Sequence, residues 1–438
     1  MTIATISGIR GILNGDLMPA DVAAYARGFS LVATSREVLV GRDTRSTGDL
    51  ISRLVRGALL EAGKSVVDYG VISTPALFRE SRTRESAAVM VTASHNEPEW
   101  NGLKFVLNGR GVDQGEFDRI LKPPRDAPRG PGAGGATARA GPTPSYVEEL
   151  VRMAGEGSCQ GVKVAADLNG GAAIAHAPAI LQGLGCRLTV LGGAPGVFSR
   201  KVDPTNDDLD LLTATVREEG CDVGFAFDCD GDRLVLVDGS GRKRTGDYML
   251  TLAMKEILPT LGTRSVAVSA DTTRAIDDVV SALGGRTYRS RVGEANVISK
   301  MREERVDVGG EGSSGGLIDG RFNFCRDSML AAITIVRAIK RDGPGVLDGV
   351  PSYSQARVKL AMKRSKALAA IRRLQKEHPD ADALDGIKIA VSRRAWVLIR
   401  VSGTEDVVRV SAESPTAKES QRLAETYLDR LQRLSQDE

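Results

Sequence analysis

One pattern constrains this chain more than any other: a buried strand, a loop and an amphipathic helix alternate, and the alternation recurs three times, each time running into a polar, glycine-bearing loop. Residues 37 to 43 (EVLVGRD) read as a buried strand, and the following TGDLISRLVRGALLEAG places Leu50, Leu54, Ala58, Leu59 and Ala62 on one helical face. Gly63 supplies a helix stop, KSVVDYG a second strand, and AAVMV runs straight into TASHN. Such alternation predicts a largely parallel sheet covered by helices.

The second unit contains VKVAAD, a helix near Ile174 to Leu184, CRLTVLG, a helix near Leu209 to Glu219, and DVGFAFDCDGDRLVLVD. The third has a helix near Tyr248 to Leu258, RSVAVSAD, a helix near Arg274 to Leu283, RTYRSRVG, one more helix, and VDVGGEGSSGG. The C-terminal part differs. A helix from about Ser365 to Glu377, the strand-like runs GIKIAVS, AWVLIRVSG and VVRVSAE, and a closing helix describe a small α+β domain. The stretch from Pro123 to Pro144, rich in Gly, Pro, Ala and Arg, reads as a long connection or exposed excursion. At 438 residues the chain exceeds one core. The predicted domains are residues 1–142, 143–245, 246–350 and 351–438.

Composition excludes several classes of function. The 59 basic and 56 acidic residues are mixed along the chain, so no basic stripe calls for nucleic acid. The five cysteines (Cys159, Cys186, Cys221, Cys229 and Cys325) are odd in number and lack metal-type spacing, which suits reduced thiols. The N-terminal MTIATISGIRGILNGDLMP has no basic start followed by an apolar core, and no segment has the roughly 18 apolar residues of a membrane span. Cytoplasmic residence is the expectation.

Four loops could carry chemistry. In the first, Ser94 follows the apolar run to Val91, a strand end where α/β proteins expose reactive groups; its alternative use is as a cap, with His95 and Asn96 bonding the backbone. The second places Asp228, Asp230 and Asp232 at alternate positions, where mutual repulsion calls for a cation. Oxygen ligands with no nearby His or thiol pair favour a hard ion such as Mg2+. An EF-hand needs Gly and Glu at the sixth and twelfth loop positions, where this chain has Arg233 and Gly239. The third loop, Gly309 to Gly316, combines Glu311 with Ser313 and Ser314, suited to vicinal sugar hydroxyls or equally a plain turn. The fourth joins Arg400, Ser402, Gly403 and Thr404 to Arg409, a donor set suited to phosphate.

Together and in this order, SGIRG with Arg10, GRDTRSTG, TASHN with NGLK, DCDGDR, GGEGSSGG and RVSGTE closely resemble the alpha-D-phosphohexomutase family over nearly the whole chain. The resemblance implies four domains around a central cleft, three of related α/β topology with mixed, largely parallel sheets and a smaller C-terminal α+β domain. It implies Ser94 as the phosphate carrier and a ligand of Mg2+ together with Asp228, Asp230 and Asp232. It further implies Arg10, His95, Lys104 and Arg233 at the reacting centre, Glu311 with Ser313 or Ser314 on the sugar, and Arg400, Ser402, Gly403, Thr404 and Arg409 on the non-reacting phosphate. Lys104 is the preferred proton-transfer group, which requires a pKa brought toward neutrality.

The expected activity is interconversion of hexose 6-phosphate and hexose 1-phosphate through a bisphosphorylated intermediate, with a hexose 1,6-bisphosphate or its amino-sugar equivalent as activator. Glucosamine phosphate is the favoured substrate. Mannose and glucose phosphates are alternatives. The apolar strand before Asp-x-Asp also resembles haloacid-dehalogenase-type phosphatases, in which Asp228 would attack phosphate, and a non-catalytic sugar-phosphate-binding regulator is the other rival. The partner is a small phosphosugar, with neither nucleic acid nor membrane, and the oligomeric state is left between monomer and homodimer.

Overall fold

The computed structural model describes residues 2–122, 137–139, 144–402 and 406–436. Four sheets account for its strands. In the second, Lys163–Asp167 pairs in parallel with Arg187–Leu191 and with Val223–Phe227, and Leu234–Asp238 adds antiparallel to Val223–Phe227. The third repeats this plan with Val266–Ser269 between Thr287–Ser290 and Val308–Glu311, and Gly316–Asp319 antiparallel to the last. The first contains the same four-strand plan in Glu37–Arg42, Ser65–Val71, Ala87–Val91 and the antiparallel Trp100–Leu107. The three chemical loops therefore occupy one topological position, the connection from the last parallel strand to the antiparallel strand beside it.

That antiparallel strand makes each sheet mixed and largely parallel, as expected. In the first sheet the N-terminal Gly8–Ile12 also pairs antiparallel with Trp100–Leu107, placing Arg10 opposite Gly102. Gly102 is required there, since a Cβ would lie 2.0 Å from the carbonyl oxygen of Ile9. One correction concerns the helix Gly48–Glu61: Leu50 is 49% exposed, and the buried face is formed by Ile51, Val55, Ala58 and Leu59. A second falls on the expected excursion, where Thr137–Arg139 extends the first sheet parallel to Ser65–Val71. Residues 123–136 and 140–143 lie outside the described residues, as do Gly403 and Thr404.

The strands at the site are buried along their whole length, as in Ala87–Val91 and Val223–Phe227, which fixes the loops that follow them. One apolar cluster runs through the first three units and a second fills the other face of the first sheet. Polar ties reinforce this: Arg79 bonds Glu149 at 2.6 Å and the carbonyl of Phe322 at 2.7 Å, and Ser328 donates to the carbonyl of Gly231 at 2.6 Å. The C-terminal sheet is wholly antiparallel, in the order Ser354–Ala361, Val407–Ser414, Ala395–Val401, Ile387–Ser392, and has its own core. It meets the third unit through the small cluster Ala270, Trp396 and Leu398.

Candidate active site

Ser94 is fully buried with φ +53°, a left-handed conformation that non-glycine residues adopt only when the surroundings enforce it. The enforcement is visible. Its backbone N–H donates to Thr92 Oγ1 at 2.8 Å, Thr92 Oγ1 donates to Asp43 Oδ2 at 2.6 Å, and Arg45 donates to the carbonyls of Ser94 and Asn96 at 2.7 Å each. Arg45 is itself buried against Asp43 at 3.0 Å. The loop is clamped while Ser94 Oγ has no hydrogen-bond partner.

The acidic loop shows the same division of labour in all three carboxylates. Asp228 Oδ1 accepts from the backbone N–H groups of Asp232 and Arg233 at 3.0 and 3.2 Å. Asp230 Oδ2 accepts from Thr74 Oγ1 at 2.5 Å and from Lys104 Nζ at 2.7 Å. Asp232 Oδ2 accepts from Lys104 Nζ at 3.1 Å and from Arg326 Nη2 at 2.7 Å. One oxygen of each is thus tied back, and the others, Asp228 Oδ2, Asp230 Oδ1 and Asp232 Oδ1, are buried without a hydrogen-bond partner, with Arg233 Nε 3.9 Å from the first and the last. The three residues offer ligand atoms within 4.8 Å of one another. Orphaned buried carboxylate oxygens are costly, and a hard cation is the group whose chemistry satisfies them. Burial and the repulsion of Asp232 and Asp230 push the Asp228 carboxyl well above its usual range.

Cations crowd the other side. Arg233 reaches Asp203 at 2.9 Å and His95 Nδ1 at 2.7 Å. Because guanidinium has only donors, Nδ1 is the acceptor and the ring proton sits on Nε2. Arg233, burial and Arg10 hold His95 neutral, well below the usual histidine range. Arg10 donates to Asn96 Oδ1 at 3.1 Å, and burial followed by the charge of Arg233 lowers its pKa to about 10. Arg10, Lys104, Glu294 and Arg326 share the wall of a cavity of about 640 Å³.

Lys104 bridges Asp230 and Asp232 at 2.7 and 3.1 Å. Burial works against its charge, yet Asp230 and Asp232 outweigh burial and hold the ammonium well above its usual pKa instead of near neutrality. In the sugar loop, Glu311 is buried, accepts from the Gly293 N–H at 2.7 Å, and has its pKa raised by that burial. Ser314 turns inward, donating to the Glu311 carbonyl at 3.2 Å, whereas Ser313 is half-exposed. Arg400 and Arg409 are register partners on adjacent strands, and the Ser402 N–H bonds the Val407 carbonyl at 2.8 Å. Sequence reasoning missed Arg326, Glu294, Thr74, Asp385 and the Asp43–Arg45 clamp; only Asp43 and Arg45 carried a signal, as part of GRDTRSTG.

Family models for phosphoglucomutase/phosphomannomutase match throughout: alpha/beta/alpha domain I over residues 2–122, domain II over 144–241, domain III over 245–351 and the C-terminal domain over 357–430. A Methanopyrus kandleri protein named "Probable phosphoglucosamine mutase" is 31% identical, covering 98% of this chain and 97% of its own. The fold is that of a phosphoglucomutase/phosphomannomutase family protein from Burkholderia thailandensis, at 24% identity and TM-score 0.86 over 99% of this chain and 98% of that one. Aspergillus fumigatus N-acetylphosphoglucosamine mutase, solved in complex with GlcNAc-6P and magnesium, superposes with TM-score 0.62 at 16% identity, covering 98% and 95%.

Fold and sequence therefore define an intramolecular phosphotransferase of the isomerase class. The chain belongs to the phosphoglucomutase/phosphomannomutase family, the alpha-D-phosphohexomutases.

Proposed function

We propose that this phosphohexomutase interconverts glucosamine 6-phosphate and glucosamine 1-phosphate through a phosphoserine at Ser94 and a bisphosphorylated sugar. The observation that carries the reading is a set of buried oxygens without a hydrogen-bond partner, Ser94 Oγ in one loop and one from each of Asp228, Asp230 and Asp232 in another, the two loops being joined by Arg233 and His95 at 2.7 Å. The amino sugar is favoured by relatives named for it, including the one at 31% identity over almost the full chain.

Asp228, Asp230, Asp232 and the phosphate on Ser94 would hold Mg2+, which when bound supplies positive charge beside the transferring phosphoryl group. The bond from phosphorus to Ser94 Oγ breaks as the free hydroxyl of the monophosphate bonds the phosphorus, and the proton of that hydroxyl ends on Ser94 Oγ. The resulting bisphosphate turns over, and its other phosphate returns to Ser94. A loose transition state spreads charge over oxygen, and Arg10, Arg233 and Lys104 supply fixed positive charge around it. His95, with its lone pair occupied by Arg233, donates a hydrogen bond from Nε2 and takes up no proton.

Glu311 and Ser313 meet the sugar hydroxyls or amine, with Ser314 bracing the loop from within. Arg400, Ser402, Gly403, Thr404 and Arg409 hold the non-reacting phosphate. Two guanidinium forks on one face of neighbouring strands offer the donors that a phosphate dianion takes. We assign four domains, residues 1–142, 143–245, 246–350 and 351–438, to these four loops. The separate core of the C-terminal sheet supports closure of that domain to keep water from the phosphoserine. Five buried free cysteines suit a reducing cytoplasm, and a hexose 1,6-bisphosphate or amino-sugar equivalent would restore phosphate lost from Ser94.

The test compares kcat/KM for glucosamine, glucose and mannose phosphates at fixed Mg2+ and activating bisphosphate. A preference of about tenfold for a neutral sugar, roughly 1.4 kcal/mol, replaces the substrate and leaves the mutase.

A further inference from the structure

We propose that Arg326 is a positioning residue that locks the metal site to the sugar loop, so that cation and phosphosugar bind cooperatively. The proposal rests on the metal and sugar sites assigned above. It adds a residue that lies outside all four chemical loops.

Arg326 lies between the strand Gly316–Asp319 and the helix Ser328–Asp342, beside Asp327, whose side chain caps that helix by accepting from the N–H groups of Met329 and Leu330 at 3.1 Å each. The cap holds the backbone next to it. The side chain is 9% exposed and meets four groups from three parts of the chain. Nη2 donates to Asp232 Oδ2 at 2.7 Å, Nη1 reaches Glu311 Oε2 and Ser314 Oγ at 3.3 Å each, and Nε lies 2.8 Å from Glu294 Oε2.

The path that makes these contacts is built into the sugar loop. A Cβ on Gly316 would lie 2.2 Å from Arg326 Cδ, so glycine is what admits the stem. Nη2, with Lys104, holds Oδ2 of Asp232 and leaves Oδ1 without a hydrogen bond, the oxygen that remains for a cation. Nη1 does the same on the sugar side: Glu311 shares one oxygen with it and gives the other to the Gly293 N–H.

A guanidinium is a rigid planar fork, so its two ends cannot shift independently. Three carboxylates, the buried Asp232 and Glu311 and the half-buried Glu294, compete for its single charge. A cation arriving at Asp232 takes over part of that demand and leaves the fork to fix Glu311 and Ser314 for the sugar. Ordering the sugar loop in turn fixes Asp232 for the cation. Coupling of this kind is reciprocal.

The experiment measures dissociation constants by calorimetry on the full chain: Mg2+ alone, glucosamine 6-phosphate alone, and each in the presence of the other. It uses wild type, Arg326→Met and Arg326→Lys, with far-UV circular dichroism to establish folding. We expect Mg2+ to tighten phosphosugar binding in wild type, and that tightening to shrink about tenfold in Arg326→Met. Arg326→Lys, which keeps the charge but cannot span Asp232 and Glu311 together, should lose most of the coupling while retaining Mg2+ affinity within about threefold. Unchanged coupling in either folded variant overturns the proposal. Independent binding of the two ligands in wild type also overturns it while leaving the mutase reading intact. Failure of wild type to bind Mg2+ at all removes the metal-site reading and this proposal with it.

Discussion

Arg400 and Arg409 stand directly opposite each other on adjacent antiparallel strands, so both side chains leave the same face of the C-terminal sheet. Two guanidinium forks on one face suit a phosphate dianion. Arg409→Ala should therefore raise KM for phosphosugars about tenfold or more while leaving the weak binding of unphosphorylated sugar within about twofold. Steady-state kinetics and calorimetry with both ligands check this, and equal losses for the two would place the phosphate elsewhere.

Arg400 has a second neighbour. Its Nε lies 2.7 Å from Asp385 Oδ2, the same oxygen that accepts from the Val292 N–H at 2.9 Å. Asp385 thus ties the C-terminal domain to the segment whose next residue, Gly293, donates to Glu311. Asp385→Asn keeps an acceptor and removes the charge that orients Arg400. KM for the phosphosugar should rise about threefold to tenfold with little change in kcat, and the Val292 amide should exchange faster by mass spectrometry.

For the nucleophile, Ser94→Ala removes a buried hydroxyl that bonds nothing. Loss of such a group is neutral or stabilising. The variant should melt at or above the wild-type midpoint and lose bisphosphate-dependent isomerisation, while the phosphopeptide carrying Ser94 disappears from its mass spectrum. Retained turnover would exclude the phosphoserine.

The loops were legible before the structure because each breaks sharply from an apolar strand. Asp228, Asp230 and Asp232 after Val223–Phe227 have no ready use as a core or a surface turn. The helix Gly48–Glu61 was misread because apolar residues at 50, 51, 54, 55, 58 and 59 satisfy two faces about 100° apart, and only packing against the sheet chooses between them. Arg326 left no trace, since a single arginine before a helix has no periodicity and its partners come from Asp232, Glu294 and Glu311.

The acidic loop gives a prediction with opposite signs in two conditions. Without metal, Asp228, Asp230 and Asp232 repel one another, with Lys104, Arg326 and, at 3.9 Å, Arg233 ranged against them. Asp230→Asn should leave the metal-free protein at least as stable as wild type, yet weaken Mg2+ binding about tenfold or more, so that added Mg2+ raises its melting point less. Melting curves with and without Mg2+ check both halves. An unchanged Mg2+-induced shift removes Asp230 from the ligand set.

The last prediction concerns the joint between the third and fourth units. Lys388 Nζ donates to the Ala270 carbonyl at 2.6 Å and lies 4.3 Å from the Trp396 ring centroid. Burial, and then the charge of Arg289, lower its pKa to about 7, while Asp277, Glu413 and Asp271 oppose the shift. A lysine in the unfolded chain titrates near about 10.4, so between pH 7 and that value the unfolded state binds more protons than the folded one. The contribution of Lys388 to stability is therefore fully present above pH of about 10.4 and is lost as pH falls to about 7, below which both states are protonated and the slope ends. Lys388→Met fills the same space without the charge. Its stability relative to wild type should be greatest at pH 7 and below, and the difference should shrink steadily as pH rises toward 10. Chemical denaturation at pH 6, 7, 8, 9 and 10 measures it, and a difference independent of pH would mean that Lys388 is not driven toward its neutral form by this interface.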